Sequence, residues 1–265
     1  MVEAGLLCAL AVMVNACKTT PGGTRWTNSL GMRFVPVPGT DVKFCVWETR
    51  VRDYAAFAKA TQRFWPKPEF AQEPTHPAVL VNWDDAQAFC RWLTEKERNE
   101  GRISAEQSYR LPTDAEWSWA VGIGDREQGS TPKEKDTKLK DVYPWGTQWP
   151  PPEAVGGFPV EASKGLDRPP GAEVNDGGRG DQAWTCPVGS FAPNALGLYD
   201  LSGNVWEWCE DWYDTDQQHR VLRGGAWNCL VAELWLSSFR NLDAPTMRFG
   251  NFGFRCVLAG GMTGP

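Results

Sequence analysis

Histidine and cysteine are the side chains that could hold a transition metal, act as a base or act as a nucleophile, and their spacing argues against most of that chemistry. The two histidines, His76 and His219, stand far apart with no His-x-x-x-His pair, so a multi-histidine zinc or iron centre lacks ligands. Catalysis through a histidine base is disfavoured for the same reason. Cys45, Cys90, Cys186, Cys209, Cys229 and Cys256 contain no Cys-x-x-Cys pair. They read as buried small hydrophobes or a stray disulfide rather than a zinc ribbon or a disulfide framework. Twenty-seven Lys plus Arg against 33 Asp plus Glu give a net charge of −6, which argues against a nucleic-acid partner because phosphate binding needs clustered cations.

The elements that must position these side chains begin after an unusual N-terminus. Ala4 to Val14 is an apolar run too short to span a bilayer as a helix, and it ends in Val14-Asn15-Ala16-Cys17 before a polar stretch. It resembles the end of a bacterial lipoprotein signal, which implies residues 1–17 as signal, Cys17 as the lipidated residue, 18–25 as a short tether, and 26–265 as the domain. The alternatives are a misplaced start and an ordinary buried N-terminal segment. With 265 residues, 42% of them hydrophobic, the chain can bury a real core as one domain or two small ones.

Arg33 to Val37 and Val42 to Val46 alternate as two strands flanking a turn at Pro38-Gly39-Thr40, which predicts a hairpin. Tyr54, Phe57 and Ala58 fall on one face of a short helix capped at Asp53. Ala86, Phe89, Cys90 and Leu93 follow helical spacing after Asp84, with an end expected near Asn99-Glu100-Gly101. Thr113 and Glu116 have capping-box spacing and start a third helix. Periodicity fails from Gly122 to Pro193, which reads as long loop. Short strings at Leu198–Leu201, Val205–Trp208, Arg220–Arg223 and Gly253–Val257 then predict strands of a small antiparallel sheet.

The order of motifs carries more. Asn28-Ser29-Leu30-Gly31-Met32, His76-Pro77-Ala78-Val79, Arg110-Leu111-Pro112-Thr113-Asp114-Ala115-Glu116-Trp117, Tyr143-Pro144-Trp145-Gly146, Asn194-Ala195-Leu196-Gly197-Leu198-Tyr199-Asp200, Gly203-Asn204-Val205-Trp206-Glu207-Trp208, Arg223-Gly224-Gly225 and Gly253-Phe254-Arg255 follow one another as in the formylglycine-generating-enzyme-like domain. The resemblance implies an α+β, loop-rich C-type-lectin-type fold with a small antiparallel sheet and two or three helices. Fold alone does not fix function. In the enzymes, two cysteines five residues apart follow the Gly-Gly strand and hold Cu(I). Cys229 matches the first and Leu234 stands at the second, so no copper is expected. The resemblance also implies a structural calcium held by the Asp200 and Glu207 side chains with the Gly203 and Val205 carbonyls, hard oxygen donors that suit the ion. The alternative is that Asp200 and Glu207 only cap a loop.

The segment from about 220 to 255 mixes residues of both kinds without strand or helix period, and ends in Gly-Phe-Arg. It resembles the variable region of retroelement-diversified proteins, the treponemal variable proteins in particular, in which Asn codons are mutated at adenines. Such codons reach Leu, Val, Cys, Phe, Asp and Thr but never Trp, Glu or Met. Trp227, Glu233, Trp235 and Met247 are then scaffold. Leu222, Asn228, Cys229, Leu230, Val231, Phe239, Asn241, Leu242, Asp243, Thr246, Phe249, Asn251 and Phe252 are candidate ligand-contacting positions, expected to be solvent-facing, with core packing as the alternative reading. The implied protein is a non-catalytic, monomeric binder of a protein or cell-surface molecule. It would be lipid-anchored at the bacterial outer surface, with the lipid as its only membrane contact. A copper-dependent oxidase and a structural envelope lipoprotein are the alternatives.

Overall fold

The computed structural model describes residues 24–149, 151, 184–229 and 231–260. The expectations for Cys17 and Leu230 lie outside these residues. Among the described residues no helix is long and apolar enough to cross a membrane.

The predicted hairpin forms as β2 (Arg33–Pro36) and β3 (Val42–Cys45), joined on one side by β1 (Trp26–Thr27) and on the other by β9 (Val257–Ala259) and β4 (Ser108–Arg110). This five-stranded sheet has the order β1-β2-β3-β9-β4 and is antiparallel throughout. Both faces are buried. Phe34 and Cys45 pack with Tyr54, Phe57, Phe89 and Leu93 on one side, while Val35 and Phe44 pack with Trp117, Ala120 and Val121 on the other. The period-two alternation of a strand produces that split. At the hairpin turn Gly39 has φ +84°, and a Cβ there would stand 2.5 Å from the Trp119 ring. Only glycine meets both conditions.

The helices are α1 (Val51–Thr61), α2 (Trp83–Asn99), α3 (Asp114–Val121) and a single turn, α4 (Pro132–Lys135). Two caps differ from expectation. Arg50, not Asp53, is the N-cap of α1, and Asp53 sits at N3, where it accepts from the Arg50 backbone and guanidinium. Asn82 caps α2 by accepting from Asp85 N–H. At α2 the Asp85 carboxylate accepts from Asn82 N–H in return and completes a reciprocal box, while at α1 Asp53 accepts from Arg50 N–H and the Arg50 side chain, a donor only, accepts none in return. The Thr113–Glu116 box at α3 is present as predicted.

A second sheet has the order β7-β6-β5-β8 and is built from β5 (Trp206–Trp212), β6 (Arg220–Arg223), β7 (Asn241–Asp243) and β8 (Phe252–Gly253). Its β5–β8 pair is parallel, whereas sequence alternation suggested antiparallel strands only. A Cβ at Gly253 would meet Ala78 O and Val205 Cγ2 at 2.8 Å each, so a bare backbone is required where β8 closes on β5. The predicted strand at Leu198–Leu201 is instead irregular loop, with Asp200 at φ +55°.

Candidate recognition face

Three buried arginines fasten the C-terminal segment to the rest of the domain. Arg255 places Nε and Nη2 on the two Glu207 oxygens, each at 2.6 Å, and both side chains are fully buried. Arg240 grips Asp114 at 2.9 Å and Glu127 at 2.5 Å. Arg223 reaches the same Asp114 carboxylate and the Ser237 carbonyl. Burial alone would raise the Asp114 carboxyl, but Arg223 and Arg240 outweigh that and hold it below the ordinary carboxylate range. Removing one member of such a set leaves an uncompensated buried charge, at a cost of about 3–5 kcal/mol. These pairs therefore set the positions of β6, β8 and the chain between them.

The Asp200–Val205 loop is held by hydrogen bonds. Gly203 N–H donates to Gly224 O at 2.8 Å, and Asp200 Oδ2 accepts Gly189 N–H at 2.6 Å. Glu48 stands behind, fully buried, its Oε2 accepting from Asn204 Nδ2 and its Oε1 without a hydrogen-bond partner. Desolvation, then the neighbouring Asp200 and Glu207 charges, push the Glu48 carboxyl well above the ordinary range, and burial brings Asp200 up to about 6. Both shifts favour a proton retained within this pair of carboxyls. The residues as arranged do not form a calcium cage, which needs six to eight oxygen ligands. Both Glu207 oxygens are on Arg255, and among the described residues no group of three or more His, Cys, Asp or Glu is arranged to hold a metal. The expected ligand role of Glu207 is thus replaced by an internal ion pair.

The thiol position is equally specific. Cys229 is buried, its Sγ accepts Ala226 N–H at 3.3 Å, and burial pushes its thiol up to about 12. At neutral pH it is a thiol and not the thiolate that soft metals bind. Leu234 lies on the one-turn helix Ala232–Trp235, half-buried against the core. One protonated sulfur beside an alkyl side chain does not fit a two-coordinate Cu(I) site.

Most positions expected on the surface are at least partly there. Asn228, Val231, Thr246 and Phe249 are exposed, Val231 by 55% and Phe249 by 40%, and Phe239, Asn241, Leu242, Asp243 and Asn251 are half-buried. Three are not. Leu222 faces the core from β6, Cys229 is tucked under its turn, and Phe252 packs edge-on to Trp208 at 5.4 Å. Each sits where a strand or tight turn alternates its neighbours inward. Trp235 is buried scaffold as expected, Arg240 is buried with it, and Trp227 is half-buried with Nε1 donating to Gly250 O at 3.3 Å. Glu233 and Met247, read as positions that do not vary, are exposed.

The sulfatase-modifying factor enzyme 1-like domain matches residues 7–259. The chain belongs to this family. It is 31% identical over 217 residues to a formylglycine-generating enzyme of Streptomyces coelicolor, a match covering 73% of this chain and 57% of that protein. It is 32% identical over 212 residues to an inactive C-alpha-formylglycine-generating enzyme 2 of Bos taurus, covering 75% and 57%. The chain spans between 31% and 61% of the length of the curated relatives it matches. Among solved structures, Treponema denticola variable protein 1 matches with a TM-score of 0.54 at 21% identity, covering 90% of this chain and 99% of that one. The fold is shared with PvdO from Pseudomonas aeruginosa, at TM-score 0.59, 21% identity and coverage of 89% and 98%.

Within this family frame, several site-building residues escape a reading of sequence alone. Asp85, which carries no signal in the sequence, binds Arg63 and Arg248 at 2.7 Å each and so ties the 244–252 turn to the start of α2. Phe70 and Trp184, distant in sequence from the 220–255 segment, join Trp227 in one aromatic group. Arg220 lies between the Trp83 and Trp212 rings, 3.8 and 3.4 Å from their centroids. No local pattern marks any of these, because all of the pairs but Arg220 and Trp212 are tens to more than a hundred residues apart. Excess Trp was the available signal.

Proposed function

We propose that this chain is a non-catalytic, surface-displayed ligand-binding member of its family, with the 220–255 segment as its recognition face. The observation that carries the reading is the sorting of side chains in that segment. Nine of the twelve described candidate positions emerge at least partly on the surface, while Trp235 and Arg240, between them, are buried and hold the frame. A surface that must survive many substitutions belongs outside the close-packed core, where large-to-small changes cost about 2–5 kcal/mol. Exposed Phe249, Val231 and Met247 beside adaptable Asn228 and Asn251 supply contact area and hydrogen-bonding groups as a paratope does.

Similarity to an inactive relative and to a treponemal variable protein supports this reading. We assign the diversification to a retroelement, the anchor to a lipid on Cys17, the location to the bacterial outer surface, and the ligand to a protein or cell-surface molecule. A second reading, a copper-dependent oxidase, is favoured by the relatives named formylglycine-generating enzyme. Incubating the full chain with copper, oxygen and a peptide carrying a sulfatase-type Cys motif separates the two. No aldehyde product is expected by mass spectrometry, and aldehyde formation that disappears in Cys229→Ser would establish the oxidase. The diversification is checked by sequencing the locus for a near-copy of the 220–255 coding segment that differs only at adenines. Palmitate labelling of wild type and Cys17→Ser checks the anchor, equal labelling ruling it out.

A further inference from the structure

The aromatic group at the edge of the recognition face has the geometry of a ligand platform. Phe70 and Trp184 stack with centroids 4.8 Å apart and planes within 8°. Trp227 lies 4.7 Å from Trp184 and 6.1 Å from Phe70, tilted 65° and 72° to them. These three separations make a near-right angle at Trp184, so Trp227 stands beside the stacked pair and not across the outer face of Trp184. Neither ring covers that face, and Trp184 is 39% exposed. Phe70 also abuts Gly250, where a Cβ would stand 3.1 Å from its ring, so the turn carrying the recognition face presses directly on the stack.

Two amides complete the corner. Asn251 Nδ2 donates to Asn228 Oδ1 at 2.9 Å, in a pair open to solvent. Asn228 adjoins Trp227 in the chain and Asn251 adjoins Gly250, whose carbonyl accepts the Trp227 indole N–H. The mutual bond orients both amides and leaves the Asn228 Nδ2 donors and the Asn251 Oδ1 acceptor for a ligand. None of these side chains is charged. A flat ring face, joined through Trp227 and Gly250 to the residues that carry an uncharged donor and acceptor, suits a neutral ring that has one apolar C–H face and a substituent that both donates and accepts. An acidic or phosphorylated ligand would find no cation within this group.

We propose that this corner binds a neutral, acetamide-bearing sugar of the N-acetylhexosamine class. The pyranose C–H face lies on Trp184, and the acetamide N–H and C=O meet Asn251 Oδ1 and Asn228 Nδ2. The inference deepens the binding reading above and rests on it. It also divides the labour: Phe70 and Trp184 lie outside the variable segment and Trp227 is beyond the reach of adenine changes, whereas Asn228 and Asn251 are of the changeable kind. The platform is constant and the amides select.

The test is calorimetric titration of the full chain with chitotriose, an N-acetylglucosamine trimer, against cellotriose, which has the same backbone without acetamides. Saturable binding of chitotriose is expected, with cellotriose at least tenfold weaker. Trp184→Ala should weaken chitotriose binding at least tenfold with the melting temperature lowered by no more than a few degrees, and Asn228→Ala with Asn251→Ala at least fivefold with little change in melting temperature. Trp184→Phe, which keeps a ring, should retain most of the affinity and decides the point if Trp184→Ala does not fold. No saturable binding, equal binding of the two sugars, or chitotriose binding indifferent to all of these variants overturns the proposal. Those outcomes leave the peptide-oxidation test untouched, and aldehyde production in that test would overturn the non-catalytic reading whatever the sugars do.

Discussion

Phe249 and Phe252 are three residues apart in one turn, touch each other with ring centroids 5.0 Å apart, and should respond to truncation in opposite ways. Phe252 is 4% exposed and stands edge-on to Trp208. Its removal leaves a cavity that the strand pair β5–β8 cannot close, since Gly253 is already in contact with Val205 and Ala78. Phe252→Ala should therefore cost about 3–5 kcal/mol, the usual range for a buried Phe. In a domain of this size that lowers the melting temperature by roughly 10 °C, at about 2–4 °C per kcal/mol. Phe249 loses mainly its one edge contact, of about 0.5–1.5 kcal/mol, and its backbone bonds from Leu80 N–H and Phe252 N–H survive truncation. Phe249→Ala should shift the melting temperature by only a few degrees. Thermal and urea unfolding, followed by circular dichroism with the slope checked for two-state behaviour, measure both. If the two variants destabilise equally, Phe249 is a core residue. The recognition face then loses its centre.

Three further expectations follow from the buried groups. A carboxyl whose folded pKa is raised stabilises the fold below its unfolded value and loses that contribution as pH rises through the folded one, so Asp200 acts against stability from about pH 4 upward through pH 6, and its neighbour Glu48 adds to the effect. Glu48→Gln should accordingly match wild type near pH 4 and exceed it at pH 8 by roughly 1–3 kcal/mol, measured by urea unfolding at both; equal destabilisation at the two pH values would contradict the shared proton. Asp114→Asn should lower stability by about 3–5 kcal/mol at pH 7 by leaving Arg223 and Arg240 short of a counter-charge, and a shift under 1 kcal/mol in urea melts would show the network to be dispensable. Cys229 should resist iodoacetamide at pH 8 in the native state and label on unfolding, as peptide mass spectrometry would show; rapid native labelling would reveal the accessible thiolate that its burial denies.

Local patterns made much of this fold legible. The apolar spacing of Ala86, Phe89, Cys90 and Leu93 and the Thr113–Glu116 box are encoded within a few residues, and α2 and α3 appear where they predict. The same holds for the β2–β3 hairpin, whose turn needs the one residue type that tolerates both Trp119 and a positive φ. The substitution of Leu234 for a second thiol is likewise a fact of sequence. Burial of each candidate contact residue was decided elsewhere. Leu222 and Phe252 have the composition of a binding surface, yet β6 and the parallel β5–β8 pairing turn them inward. Glu207 has the chemistry of a calcium ligand, and a guanidinium 48 residues away takes both its oxygens. The corner formed by Phe70, Trp184 and Trp227 draws on three stretches of chain with no shared period. Hydrophobic periodicity reports which side of a helix or strand is apolar, but which charge neutralises which, and which ring stays uncovered, depends on contacts between segments far apart in the chain. Those contacts exist only once the chain has closed on itself.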